Sequence, residues 1–206
     1  PPPPPRRWHW PLLVTEGTYR NSRLAALGTP AATFAAGRTL EFPGMLVETF
    51  RTPHDATEPI GVVVTSQSTG ARAAILTDLG CATKTVRRMV RDVDILVIES
   101  NHDEQMLWNG SYPPSVQRRI ASRVGHLSNG ECAELVRESV SPRLRQIVLA
   151  HLSEENNTPT VAYQNMRAAL RRTAFRGALI PALQDRVVGP FTASAGRGHQ
   201  QLSLGL

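Results

Sequence analysis

The segment Gln146–Asn157, QIVLAHLSEENN, decides how the rest of the chain is read. Ile147 to Ala150 form a short apolar run bounded by polar residues, which is the pattern of a buried strand. His151 stands where that strand ends, and Ser153, Glu154, Glu155, Asn156 and Asn157 follow at once. Strands of α/β sheets display chemistry in this way, because the sheet fixes the backbone while the loop carries polar groups. A lone His at a strand end can equally be a structural imidazole bonded to a neighbouring carbonyl. Repetition of the same pattern elsewhere in the chain weighs against that simpler account.

Val93–Ile98 is almost wholly apolar, as a central strand covered on both faces should be, and it runs into Glu99, Ser100, Asn101, His102 and Asp103. Ala71–Thr77 is predicted to pair with Ile60–Ser66 through the turn QSTG, and it runs into Asp78-Leu79-Gly80. Thr39–Phe50 reads as two short strands about Pro43–Gly44. It is followed by the loop RTPHDATEP, with His54, Asp55 and Glu58. Helices are predicted over Thr83–Arg91, Pro114–Arg123, Asn129–Ser139 and Thr160–Arg172, with Ser128 or Asn129 as the N-cap of the third. A last strand is predicted over Gly177–Leu183. From Pro11, the sequence reads as a short strand, a turn and a helix stopped at Gly28.

The opening PPPPP tract cannot pack as helix or interior strand. The tail ASAGRGHQQLSLGL is Gly-rich and polar, and it is expected to be mobile up to its final six residues. The expected division is therefore a disordered or non-native segment over 1–10, one α/β domain over 11–191 and a flexible tail over 192–206.

With 206 residues and 41% apolar content, the chain can bury one sizeable core. Its formal charge is +6, its pI is about 10.3, and Lys84 is its only Lys. Arginine suits bidentate contact with phosphate, so an anionic polymer is one reading of the charge and Arg-rich solvated faces are the other. The same two readings apply to Arg87, Arg88 and Arg91, and to Arg118, Arg119 and Arg123. Trp108 and Tyr112 offer either base stacking or ordinary packing. Cys81 and Cys132 have no metal-ligand spacing and make no disulfide framework. No apolar run reaches the ~18 residues of a membrane span, and no secretory signal is recognisable. A reduced, cytoplasmic setting is expected.

His54, Asp78, His126 of GHLSN and His151 each end or turn a separate element. Strand ends on one side of an open α/β sheet converge on one crevice. A His/Asp/His set drawn together there suits zinc or manganese, and such a metal lowers the pKa of bound water to about 7.

The segments TPHDATEP, ILTDLG, VIESNHD with a following YP, GHLSN and LAHLSEENN occur in that order. From about Pro11 to Phe191 they resemble the metallo-β-lactamase-fold hydrolases, and within them the YycJ/WalJ-type branch of presumed DNA exonucleases. The resemblance implies an αββα sandwich holding two divalent metal ions, zinc or manganese, which clamp a phosphate for hydrolysis. By position it implies that His54 is a ligand of the first metal, that Asp78 bridges both, and that His151 is a ligand of the second. It makes His126 the proton donor to the leaving group and Glu99 the carboxylate that orients it. His102 and Asp103 belong to the branch pattern without an assigned role, and a place behind the ligands suits them better than ligation.

The family's HxHxDH motif would lie upstream of LLVTEGT and does not occur in these residues; His9 of RRWHWP lacks its spacing. The chain is therefore expected to be the C-terminal two-thirds of the fold, an incomplete αββα sandwich that binds metal weakly and has little or no activity. The complete enzyme is expected to be a phosphodiester hydrolase, a DNA 5′-exonuclease linked to replication or repair. Hydrolysis of RNA or of a small phosphoester, and a non-catalytic interaction module, are the alternatives. The final hexapeptide, Gln201 to Leu206, resembles the motif that binds the bacterial sliding clamp. There Gln201 leads, and Leu202, Leu204 and Leu206 are the spaced side chains for an apolar pocket of the clamp.

Overall fold

The computed structural model describes residues 12–24, 26 and 30–193. The expectations for the opening segment, for the predicted helix stop at Gly28 and for the hexapeptide at 201–206 lie outside the described residues. The main body is a seven-stranded sheet of order β3-β4-β5-β6-β7-β8-β9. Its strands are β3 (Thr39–Phe42), β4 (Met45–Arg51), β5 (Ile60–Ser66), β6 (Arg72–Leu76), β7 (Ile95–Glu99), β8 (Gln146–Ala150) and β9 (Ala178–Pro181).

The first half, β3 to β6, is antiparallel, with Gly44 and Gly70 at positive φ in its tight turns. From β6 to β9 every pairing is parallel. Parallel neighbours require crossovers, and the helices supply them. These are α2 (Lys84–Met89) between β6 and β7; α3 (Glu104–Asn109), α4 (Pro114–Ile120) and α5 (Asn129–Ser139) between β7 and β8; and α6 (Pro159–Leu170) before β9. Leu76, Leu96, Ile98, Ile147 and Leu149 of β6–β8 pack with Leu135 and Val136 of α5 and Ala162 and Met166 of α6 in one buried core. The third predicted helix has the expected bounds. Ser128 caps it and forms a capping box with Glu131, at 3.2 Å and 3.0 Å.

A second, two-stranded sheet pairs β1 (Leu12–Thr15) in parallel with β2 (Ala31–Phe34), with α1 (Glu16–Asn21) between them. The helix predicted to run to Gly28 is shorter. Asn21 Nδ2 donates to the Gly17 carbonyl and Ser22 to the Tyr19 carbonyl through both N–H and Oγ, so side chains and turn take over the last helical acceptors. Glu58 joins the two sheets. Its carboxylate accepts from the backbone N–H of Gly17 (2.7 Å) and Ala36 (2.9 Å), and its carbonyl accepts from Thr15 Oγ1 (2.9 Å). Those backbone donors, Ala36 first, hold the Glu58 carboxyl below the usual carboxylate range.

Two elements went unpredicted. β2 is only four residues of mixed composition, whereas α3 does carry a start signal, Asp103 accepting from Met106 N–H at 3.0 Å.

Candidate metal centre

Three adjacent parallel strands deliver the central residues. Glu99 is the last residue of β7 and pairs in register with Ala150, whose successor is His151, while Asp78 stands two residues beyond the end of β6. His54 arrives from the other half of the sheet, on the loop between β4 and β5, and His126 from the connection between α4 and α5.

Glu99 organises the site. It is fully buried, and its Oε1 accepts from Nδ1–H of both His126 and His151, each at 2.7 Å. Its Oε2 accepts from the backbone N–H of Leu79 at 2.7 Å, so it also pins the turn that carries Asp78. Burial pushes the Glu99 carboxyl up. The hydrogen bonds from His126, His151 and Leu79 and the His126 charge outweigh this and leave it lowered. The Glu99 hydrogen bond raises the pKa of His151 above the ordinary imidazole value.

His54 donates from Nδ1 to the Gly125 carbonyl at 2.9 Å. That bond fixes the tautomer and leaves Nε2, 3.6 Å from Asp78 Oδ1, with its lone pair available. Nδ1 of His151 is 3.9 Å from the same Asp78 oxygen. The His126 ring centroid lies 4.9 Å from that of His54 and 5.2 Å from that of His151. Asp78 and His151 adopt left-handed backbone, at φ 55° and 53°. Such conformations cost of order 1–3 kcal/mol and persist only where surroundings hold them. Here Leu79 N–H is held by Glu99, and the His151 carbonyl accepts from Asn101 Nδ2 at 2.9 Å.

Two donor groups result, His54–Asp78–His126 and Glu99–His126–His151, each with ligand atoms within 4.8 Å of one another. Imidazoles fixed by a carbonyl or carboxylate behind them, beside a half-exposed carboxylate, fit a divalent metal cation.

Residues to which the sequence pattern gave no part in the site hold these loops together. Asn129 and Asn157 exchange reciprocal amide hydrogen bonds of 3.0 and 2.9 Å. Asn157 Nδ2 also donates to the carbonyls of Ser100 (2.7 Å) and Asn101 (3.0 Å), and Ser100 Oγ donates to Asn129 Oδ1 at 2.6 Å. All of these residues are buried. They tie the loop after Glu99 to the start of α5, just beyond His126, and to the loop after His151. The sequence signal was the asparagines of ESN, LSN and ENN, each within two residues of a strand end or a helix start.

His102 is buried behind the site with its Nδ1 unpartnered among the described residues, and burial lowers its pKa. Asp103 is the N-cap of α3. Arg118, Arg119 and Arg123 are exposed, and Arg119 pairs with Asp55. Arg87 pairs with Glu138. Trp108 is 50% exposed and so lies outside the core. Cys81 and Cys132 are free thiols, and burial pushes Cys132 up to about 12. Among the described residues, no helix is long and apolar enough to cross a membrane.

A sheet whose parallel strand ends present Asp78, Glu99 and His151, with His54 and His126 brought beside them by loops, is the scaffold of a metallohydrolase. The pattern of the beta-lactamase superfamily domain matches residues 8–152, and the chain belongs to that superfamily, with the metallo-β-lactamase fold. It is 33% identical over 173 residues to the exodeoxyribonuclease YycJ of Bacillus anthracis, covering 82% of this chain and 65% of that protein. It is 35% identical over 133 residues to the exodeoxyribonuclease WalJ of Streptococcus pneumoniae, covering 65% of this chain and 49% of that one. The chain thus spans between about half and two-thirds of the length of these relatives. Among solved structures, the metallo-β-lactamase-fold protein YhfI from Bacillus subtilis superposes with a TM-score of 0.59 at 15% identity, over 84% of this chain and 61% of that one.

Proposed function

We propose that this chain carries much of the active site of a cytoplasmic DNA exonuclease that hydrolyses phosphodiesters from the 5′ end of a strand and serves replication or repair. The observation that carries the reading is the single Glu99 oxygen shared by His126 and His151, with Asp78 and His54 beside them. The relatives named as exodeoxyribonucleases support the choice of phosphodiester and of DNA.

His54 through Nε2, Asp78 through its carboxylate and His151 are the residues that would hold two divalent ions. When bound, such ions supply Lewis acidity toward a phosphoryl oxygen and activate water as the nucleophile. Asp78 stands between the two imidazoles and suits a shared position. His126 is turned by Glu99 so that Nδ1–H points backward and Nε2 faces the opening. Protonated at both nitrogens, it keeps the Glu99 bond and delivers the Nε2 proton to the departing oxygen. Glu99 orients the ring without itself exchanging a proton. The 206 residues hold only part of the ligand set that the family resemblance implies, so this polypeptide alone binds metal weakly and turns over little.

The test is His126→Ala in the full-length protein with a 5′-phosphorylated DNA strand as substrate. Turnover should fall about 10²–10⁴-fold while metal content stays near that of the unaltered protein. Equal loss of metal and activity would overturn the proton-donor role, and a higher kcat/KM on RNA would overturn the choice of DNA. We further propose that Gln201–Leu206 docks the protein on the bacterial sliding clamp. A pull-down that loses the clamp when these residues are deleted supports this, and unchanged capture overturns it.

A further inference from the structure

Asp55 and Arg119 form an ion pair at the rim of the metal centre that the mechanism above leaves unused. Asp55 Oδ2 accepts from Nε of Arg119 at 2.5 Å, and its Oδ1 lies 3.5 Å from His54 Nε2. The Asp55 backbone N–H donates to the Val124 carbonyl at 2.9 Å, one residue before the Gly125 carbonyl that holds His54. One short stretch, 119–125, therefore positions both the candidate ligand His54 and the guanidinium of Arg119, with a single carboxylate between them.

The Arg119 side chain is 67% exposed. An ion pair so exposed contributes little to stability, so stability alone does not account for its geometry. Only Nε of Arg119 is engaged; its two terminal nitrogens have no partner among the described residues. Those terminal nitrogens are the pair that an arginine offers to a phosphate in a bidentate contact. Arg118 and Arg123 are exposed on the same segment and have no ion pair among the described residues. Arg119 alone of the three is held in place beside the centre.

We infer that Arg119, oriented by Asp55, is a specificity-determining phosphate clamp. It binds a backbone phosphate next to the one being cleaved and so favours a polynucleotide strand over a small phosphoester. The inference rests on the phosphodiesterase reading of this site. A guanidinium already tethered through Nε loses less rotamer freedom when it binds than an untethered one.

The experiment titrates metal-free full-length protein into a fluorescent, 5′-phosphorylated single-stranded deoxydecanucleotide between 50 and 200 mM NaCl (roughly the range over which phosphate contacts are read). Arg119→Ala should weaken binding about 10-fold and reduce the slope of log affinity against log salt by about 0.7, one single-strand phosphate contact. Arg119→Lys keeps the charge but neither the fork nor the Nε tether. It should retain the slope and still bind several-fold more weakly than the unaltered protein. Thermal unfolding of both variants checks that neither effect reflects misfolding.

Arg119→Ala with unaltered affinity and slope would overturn the clamp while leaving the nuclease reading intact. Arg119→Lys that matches the unaltered protein would overturn the role of the Asp55-held fork. No DNA affinity at any salt, with a small phosphodiester such as bis(p-nitrophenyl) phosphate still hydrolysed by the metal-loaded protein, would overturn strand hydrolysis and this inference together.

Discussion

At the scale of single residues, the site turns on one buried carboxylate that does three things. Glu99 aims two imidazoles and anchors the Asp78 turn, although it lies fully buried. A buried carboxylate is costly unless it is paired and hydrogen-bonded, and His126, His151 and Leu79 meet that need. The consequence for pH has a definite sign. The Glu99 pKa is lowered from 4.5 on folding, so its contribution is fully present above 4.5 and is lost as pH falls through the folded value. The His151 pKa is raised from 6.5, so its contribution is fully present below 6.5 and is lost as pH rises through the folded value. Both ions are fully engaged between pH 4.5 and 6.5. In metal-free protein, the difference in Tm between the unaltered chain and Glu99→Gln should therefore favour the unaltered chain most in that window. A difference that is flat from pH 4 to 8 (roughly the span over which these groups titrate) would show that the shared charge does not stabilise the site.

At the scale of elements, the site is a set of loops stitched by amides and closed by glycine. Asn157 sits where the loop after β8 meets the loop after β7 and the start of α5, and its Nδ2 serves two carbonyls and one amide. Asn157→Ala would leave the buried Ser100 carbonyl and Asn129 Nδ2 without these partners, at an expected cost of about 2–3 kcal/mol. Urea unfolding measures that loss, and hydrogen exchange should quicken at residues 100–103 and 127–130 before it does in β6–β8. A loss below about 0.5 kcal/mol would mean that water replaces the amide. Gly125 matters for a different reason, because a Cβ there would run into the carbonyls of Arg119 and Ile120 and spread the turn whose own carbonyl holds His54. The strands and most helices were legible in the sequence, because apolar runs and capping residues act locally. That His54, Asp78, Glu99, His126 and His151 share a site was legible through the order of the motifs. The double use of Glu99 and the Asn129–Asn157 pair were not, since each depends on contacts between segments 27 or more residues apart. Helix α1 stopped short of its predicted end for a local reason, as the side chains of Asn21 and Ser22 captured the Gly17 and Tyr19 carbonyls.

At the scale of the whole molecule, the site straddles the two halves of the sheet. His54 belongs to the antiparallel half, Asp78 follows the β6 strand at the boundary, and Glu99 and His151 belong to the parallel half. A cation held by His54 and Asp78 would therefore fasten the His54 loop to the parallel half, and binding to the folded state alone would raise the unfolding temperature. The gain is RT ln(1 + [L]/Kd), about 2.7 kcal/mol when free metal reaches one hundred times Kd. For a domain of this size that corresponds to roughly 5–10 °C. Because these residues supply only part of the implied ligand set, the shift for this chain is expected only with zinc or manganese in large excess, and EDTA should reverse it. His54→Ala tests whether His54 holds an ion. Removing this imidazole also breaks the Gly125 bond and lowers the starting Tm. Each variant is therefore compared with itself, with and without metal, and the stability loss cancels. If His54 and Asp78 hold an ion, the metal-induced shift shrinks in His54→Ala. If the shift is unchanged there but vanishes in His151→Ala, the ligand role proposed for His54 fails while that of His151 stands.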